Sequence, residues 1–224
     1  MDRNALLVAE STSPGLTTLA NADEEVNIVA SILSSMSPTV LGANTSVGRG
    51  VAVKSVLENI PPASILHLAC HGVQDAMNPL RSGFCLRDGR LTVADLMRLN
   101  LRNAFFAFLS ACETAKGDSK QPDQAVHLAA AILFVGFRSV IATMWQAQFF
   151  LPLDVGHKLR YIVFRRSMND EDGPIVAEIV YTELINGEFL NPDVIPYALD
   201  MAVCKLRSMG VPPDRWAPYI HMGA

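Results

Sequence analysis

Residues 65–72 have the sequence Ile-Leu-His-Leu-Ala-Cys-His-Gly, and residues 105–114 have the sequence Phe-Phe-Ala-Phe-Leu-Ser-Ala-Cys-Glu-Thr. Each segment is a short apolar run that ends in small and reactive residues. Such runs are typical of buried parallel strands. In open α/β sheets, reactive groups gather beyond the carboxyl ends of the strands. If these two strands are neighbours, we expect His71 and Cys112 to meet there as a base and a nucleophile.

Strand-like and helix-like segments alternate along the rest of the chain. This alternation predicts an α/β fold with a mainly parallel sheet of about six strands and helices on both faces. The sequence contains no internal repeat and no linker, so we predict a single domain over residues 1–224. The predicted strands are 5–10, 39–41, 64–70, 104–110, 139–143 and 217–221, and the predicted helices are 47–59, 93–100, 123–136, 174–186 and 193–209.

Three local features add to this prediction. Residues 84–91 have the pattern of a small hairpin that turns at Asp88-Gly89. Thr92 and Asp95 have the spacing of a capping box at the start of a helix. Asn21 or Asp23 could cap an earlier helix, in which Glu24 and Glu25 lie favourably in the first turn.

Composition narrows the possible functions. The formal net charge of −4 gives no electrostatic case for binding nucleic acid. The chain lacks both an apolar stretch of roughly 18 residues and a signal peptide at its start, so we expect a cytoplasmic protein with no membrane partner. Four cysteines without regular spacing predict reduced thiols, and five dispersed histidines argue against a metal site.

The pairing of His71 with Cys112 is the main chemical signal. A thiol becomes a good nucleophile when it is deprotonated, and a neighbouring imidazole favours that state. Either residue alone is more often a packing residue, but together, at the ends of successive strands, they favour catalysis. Gly72 allows the backbone to turn sharply after His71. The N–H groups of Gly72 and Cys112 are then the natural donors to an oxyanion.

The remaining cysteines and His67 have simpler interpretations. Because neighbouring strand residues face opposite ways, Cys70 should face a helix layer when His71 faces the crevice. We predict that Cys70 and His67 are interior. Cys85, in the hairpin, and Cys204, in a helix, are also predicted to be packing residues.

At these residues the chain resembles the CHAT domain family, caspase-like domains attached to tetratricopeptide repeats, within the wider set of caspase/separase-fold cysteine proteases. The resemblance rests on residues 69–72, residues 110–114, the pair Met144-Trp145 and the stretch 169–174. The ending at 215–223 is similar to that of fungal members. The similarity extends from about Ala5 to the C-terminus.

The resemblance implies a cysteine endopeptidase that acts on a protein or peptide and needs no metal or organic cofactor. His71 would be the base and later the acid, Cys112 the nucleophile, and the amides of Gly72 and Cys112 the oxyanion hole. Trp145, Asp170, Asp172 and Glu113 are candidates for a substrate pocket, although Trp145 could equally be a core residue and an acid such as Glu113 is usually solvated. If Asp170 or Asp172 lines the first specificity pocket, a cationic side chain before the cleaved bond would fit it. We also expect an upstream repeat or sensor region to accompany the domain.

One segment departs from the family pattern. In relatives the Met-Trp strand leads within a few residues into the Asp-Glu-Asp-Gly-Pro stretch, whereas here residues 147–167 intervene. Without them, Gln146 would precede Met168 and the sequence would follow the ordinary pattern. Our hypothesis is that this insert is a translated, unspliced short intron, which the sequence of the spliced transcript tests. If the insert is present in the protein, we expect it to lie beside the substrate cleft and to lower activity.

Two other functions stay open on sequence grounds. The first is a catalytically inert interaction module that keeps the same fold for docking. The second is a nucleotide-binding α/β domain, which is less well supported because residues 11–15 (Ser-Thr-Ser-Pro-Gly) do not form a phosphate-binding glycine-rich loop.

Overall fold

A computed structural model describes residues 4–43, 50–75, 77–113, 125–143, 149–155, 158–164, 170–187 and 191–223. For residues 111–113, 125–127, 149–155 and 158–164 it describes the backbone. The strands are β1 (Ala5–Ala9), β2 (Thr39–Leu41), β3 (Ile65–Val73), β4 (Gly83–Leu86), β5 (Gly89–Thr92), β6 (Phe106–Glu113), β7 (Ser139–Thr143), β8 (Phe149–Val155), β9 (Lys158–Phe164) and β10 (Tyr219–Gly223). The helices are α1 (Ala22–Ile32), α2 (Val53–Asn59), α3 (Val93–Leu96), α4 (Ala125–Val135), α5 (Asp172–Asn186), α6 (Val194–Ser208) and α7 (Pro213–Trp216), with single 3₁₀ turns at Ser34–Met36 and Pro79–Arg81.

Six strands form the main sheet in the order β2-β1-β3-β6-β7-β10. The first five are parallel to one another, and β10 is antiparallel to β7 at the edge. The β4–β5 hairpin adds to the carboxyl end of β3 in antiparallel orientation. This arrangement confirms the predicted α/β fold with a mainly parallel sheet of about six strands.

Helices cover both faces of the sheet, and the side chains of the strands alternate between the two layers. On one face Leu7 and Phe108 pack with Val26 of α1 and Tyr181 of α5. On the other face the strands pack against α2, α3 and α4, through residues such as Val56, Leu96 and Ile132. Because both faces are buried, the strands are almost continuously apolar, which is the pattern that allowed them to be predicted.

Several predicted elements are confirmed closely. The strands at 39–41 and 139–143 and the hairpin turning at Asp88-Gly89 lie where the sequence places them. The capping box is present, since the Thr92 hydroxyl accepts from the Asp95 amide and the Asp95 carboxylate accepts from the Thr92 amide. Asn21 is the N-cap of α1, but within the described structure its side chain makes no capping hydrogen bond.

Other elements differ in length from the prediction. Strand β3 continues to Val73 because its last residues pair with β4, and β6 continues to Glu113 because it pairs with β3 along its whole length. Helix α3 is limited to residues 93–96, followed by turns at 97–98. The single turn α7 and the strands β8 and β9 were not predicted. Among the described residues, β8 and β9 pair only with each other and form a separate two-stranded sheet.

The pair Leu7 and Val40 tests how much of the stability comes from this core. They are register partners in β1 and β2, but Leu7 is fully buried whereas Val40 is 36% exposed. We expect Leu7→Ala to lower the free energy of unfolding by about 2–5 kcal/mol, because it leaves a cavity. Val40→Ala, the matched control, should stay within about 0.5 kcal/mol of wild type. Urea unfolding measures both, and equal losses would contradict the assignment of β2 as a solvent-facing edge.

Candidate active site

His71 and Cys112 are register partners in adjacent parallel strands. The ladder between β3 and β6 extends from Ile65 and Phe106 to Gly72 and Glu113, and residue 71 pairs with residue 112 within it. Neighbouring strands lie about 4.8 Å apart, and paired positions lie on the same face of a sheet. The prediction that the two motif strands are neighbours is therefore confirmed.

The imidazole of His71 is oriented by a backbone carbonyl. Its Nε2 atom lies 2.6 Å from the carbonyl oxygen of Thr17, in the loop between β1 and α1, and the residue is 1% exposed. A carbonyl oxygen can only accept a hydrogen bond, so Nε2 must carry the proton. In the neutral ring Nδ1 is then the basic nitrogen, and the Thr17 carbonyl fixes the tautomer.

Sequence analysis did not find Thr17. Its contribution comes from a main-chain oxygen, which every residue type supplies, so no residue pattern points to it. The only sequence signal was the position of the Ser/Thr/Pro/Gly-rich loop directly after β1. Parallel pairing of β1 with β3 brings the carboxyl ends of the two strands together, and this places the loop next to His71.

Gly72 does not produce the sharp turn that the sequence predicted. It continues β3 and pairs with Phe84 of β4 on one side and Glu113 of β6 on the other. Its φ angle is also not positive, so it does not adopt a left-handed turn conformation. The antiparallel hairpin supplies partners for residues 71–73, which keeps the backbone extended there. The oxyanion role of the Gly72 and Cys112 amides stays a prediction.

The predicted pocket residues lie in different settings. Trp145 lies outside the described residues, and for Glu113 the structure describes the backbone at the end of β6. Asp170 is half-buried, and its Oδ2 accepts a hydrogen bond of 2.7 Å from the backbone N–H of Asn21, at the start of α1. This contact ties the turn before α5 to α1.

Asp172 is enclosed by Arg215. The residue is 1% exposed, and its two oxygens accept from Nε and from the terminal nitrogen Nη2 of Arg215 at 2.7 and 2.6 Å. The hydrogen bond to Asp172 is the main cause of a raised pKa of the Arg215 guanidinium. A carboxylate paired in this bidentate way has little capacity left for a cationic substrate. The geometry favours a structural role for Asp172 over a place in the substrate pocket.

The other thiols and His67 divide into interior and surface residues. Cys70 and His67 are fully buried, as predicted, and burial raises the pKa of the Cys70 thiol well above its usual value. Cys85 is half-buried and pairs with His71 on the side of β3 opposite Cys112, and burial raises the pKa of its thiol against the opposing effect of Arg90. The prediction that Cys204 is a packing residue is wrong, because it is exposed on the outer face of α6.

Two other features are absent from the described residues. No group of three or more His, Cys, Asp or Glu residues in that part of the chain has an arrangement that could hold a metal ion. In the same part of the chain, no helix has the length and apolar character needed to span a membrane.

The sheet order and the two helix layers define an α/β protein with a mainly parallel sheet, as in the caspase-like class. Comparison with protein-family models is more specific: the CHAT domain model matches residues 2–148, more than half of the chain. The chain therefore belongs to the CHAT domain family. No curated protein sequence matches it.

The role of Asp172 can be tested by measuring the stability and the peptide preference of one variant. We expect Asp172→Asn to lower the free energy of unfolding by about 1.5–3 kcal/mol, because Arg215 loses a charged hydrogen-bond partner. Glu58→Gln, which removes only the exposed pair with Lys54, is the control and should cost at most about 1 kcal/mol. Thermal and urea unfolding measure both variants. A fully stable Asp172→Asn protein with altered preference for basic peptides would instead place Asp172 in the pocket.

Proposed function

We propose that this chain is a cysteine endopeptidase in which His71 and Cys112 form the catalytic dyad. The observation that carries the proposal is the register pairing of residues 71 and 112 in adjacent parallel strands of a CHAT domain. The hydrogen bond from His71 Nε2 to the Thr17 carbonyl supports it further, since it makes Nδ1 the nitrogen that accepts a proton.

The chemistry follows the usual course for a thiol and an imidazole. His71 takes the thiol proton, and the Cys112 sulfur attacks the carbonyl carbon of the scissile peptide bond. The amides of Gly72 and Cys112 are the proposed donors to the oxyanion that forms. Imidazolium at His71 then protonates the leaving amine, the C–N bond breaks, and a thioester remains. Water, deprotonated by His71, hydrolyses the thioester and releases the carboxylic acid and the free thiol.

The dyad is tested by the reactivity of individual thiols. Iodoacetamide alkylation, quantified at each cysteine by mass spectrometry, should be faster at Cys112 than at the exposed Cys204, which serves as an internal reference. His71→Ala should slow peptide cleavage by about 10²–10⁴-fold, because the general base is lost. The same variant should slow alkylation of Cys112 and leave Cys204 unchanged.

The opposite result has a clear meaning. If Cys112 is alkylated equally fast in wild type and His71→Ala, the imidazole of His71 does not activate the thiol of Cys112. A peptide library that is not cleaved by the wild-type protein would then favour the alternative function, a CHAT-fold interaction module without catalysis.

Residues 147–167 form an addition to the domain in this proposal. The observation that supports it is that β8 and β9, which lie inside this segment, pair with each other and not with the main sheet in the described structure. Strand β7 and helix α5, which lie before and after this segment, are each held by contacts with the rest of the domain. Strand β7 pairs with β6 and β10, while α5 is held by the contacts of Asp170 and Asp172.

Deletion of residues 147–167 tests this interpretation. Joining Gln146 to Met168 should leave the unfolding transition intact, because neither set of contacts is removed. We expect faster peptide cleavage than by the full chain, measured on the same library, with the His71→Ala version of the deletion as the inactive control. A deletion protein that unfolds at lower denaturant and cleaves more slowly would contradict the interpretation. Sequencing of the spliced transcript tests the unspliced-intron hypothesis directly.

A further inference from the structure

A buried polar network lies beneath the candidate dyad, on the same face of the sheet. The side chain of Glu25 (α1) is 2% exposed, and that of His67 (β3) is fully buried. Glu25 Oε1 lies 3.1 Å from His67 Nε2, and Glu25 Oε2 accepts a hydrogen bond of 2.9 Å from the Ser110 hydroxyl (β6). The opposite ring nitrogen of His67, Nδ1, lies 3.1 Å from the hydroxyl of Tyr181 (α5).

The protons of this network can be assigned from its geometry. Burial, with the nearby charge of Glu25, raises the pKa of Tyr181 well above its usual value, so the phenol keeps its proton. The Tyr181 hydroxyl then donates to Nδ1 of His67, which places the ring proton on Nε2. Nε2 lies 3.1 Å from Glu25 Oε1, a close polar contact without hydrogen-bond geometry. The buried carboxylate of Glu25 thus accepts a hydrogen bond from Ser110 at Oε2 and faces the His67 ring at Oε1. The His67 ring also stacks on Phe108, with centroids 5.1 Å apart.

Helix α5 contacts the same carboxylate through its first turn. A Cβ atom placed on Gly173 would collide with Glu25 Oε2 and come within 3.1 Å of the Ser110 hydroxyl. Only glycine permits this approach. The amino-terminal end of a helix of 15 residues therefore lies against Glu25, where its dipole favours negative charge.

Along both strands, the network lies a few residues before the positions of the candidate dyad. Ser110 precedes Cys112 by two residues, a rise of roughly 6.6 Å along a strand. Its register partner is Ala69, which lies between His67 and His71 in β3. Glu25 thus links the two strands directly before the positions at which the thiol and the imidazole are expected to meet.

We propose that Glu25 is a positioning residue for the dyad, acting through His67 and Ser110 to hold the ends of β3 and β6 in the spacing that the thiol and imidazole require. The proposal rests on the proposed function. A carboxylate accepts at both oxygens, whereas a carboxamide accepts at one and donates at the other. In Glu25→Gln the amide nitrogen therefore faces either the Ser110 hydroxyl or His67 Nε2, and the two strands lose the carboxylate that both of them contact.

The test compares three thiols in the full chain. Per-site iodoacetamide alkylation is measured for wild type, Glu25→Gln, Tyr181→Phe and His71→Ala. Cys112 reports the dyad, fully buried Cys70 reports opening of the fold, and exposed Cys204 reports probe reactivity. We expect Glu25→Gln to slow alkylation of Cys112 by about 10- to 100-fold, because small misplacements of reacting groups are this costly. Cys70 should stay protected and Cys204 should be unchanged.

Tyr181→Phe and one further variant, Ser139→Ala, complete the design. Tyr181→Phe removes only the hydroxyl that donates to His67 and should slow Cys112 in the same direction by a smaller factor. This variant also decides the matter if Glu25→Gln fails to fold. Ser139→Ala removes a hydroxyl on a residue that is as buried as Tyr181. This hydroxyl is hydrogen-bonded to His221, between β7 and β10, and not to Glu25. The variant should leave Cys112 at the wild-type rate.

The outcomes separate the two proposals. A merely structural role would expose Cys70 to the probe without slowing Cys112, which overturns the positioning role. Wild-type alkylation of Cys112 in a folded Glu25→Gln or Tyr181→Phe protein overturns it too, while a slow His71→Ala variant still supports the dyad. If His71→Ala reacts as fast as wild type, the proposed function fails, and the positioning role fails with it.

Discussion

The register between β3 and β6 is the constraint on which the candidate site depends. A shift of one residue in either strand would turn its side chains to the opposite face and separate position 71 from position 112. In many sheets a shift of this kind is prevented because it exposes apolar side chains. Here both faces are covered by helices and both are apolar, so hydrophobicity alone specifies the register only weakly. The polar residues must supply the remaining specificity.

The polar side chains that the structure describes in β3 and β6 lie on one face of the sheet. His67 and Ser110 lie on the face covered by α1 and α5, where Glu25 and Tyr181 are their partners. The intervening residues of the same strands, such as Leu68 and Leu109, pack on the other face among apolar side chains. A shift of β6 by one residue would move the Ser110 hydroxyl into that apolar layer and leave it without an acceptor, at a cost of about 1–3 kcal/mol. The network therefore opposes the one-residue shift that would separate position 71 from position 112.

Sequence analysis predicted what depends on local patterns and missed what depends on distant partners. The strands of the main sheet, the hairpin and the capping box are encoded within a few residues, so their positions, though not all of their ends, agreed with the structure. Glu25 was interpreted as an acid in the first turn of a helix, which is usually exposed. It is buried because its partners come from β3, β6 and α5, far away in the chain. The role of Thr17 was equally hidden, since a main-chain carbonyl carries no residue signature.

Residues 170–173, in the turn before α5 and at its start, contact several other elements of the fold. Asp170 accepts from the Asn21 amide, Asp172 binds Arg215, and Gly173 lies against Glu25. These contacts join α5 to α1, to α7 and to the buried network. In the described structure the acidic residues predicted to line a pocket therefore form a joint, that is, a set of contacts that holds several elements together. Replacing such buried charges by apolar residues is often neutral or stabilising, so stability alone does not account for them. Helix α5 follows the proposed insert in the chain and lies against the carboxylate that contacts both β3 and β6, so we expect a change in residues 147–167 to reach the proposed dyad through α5.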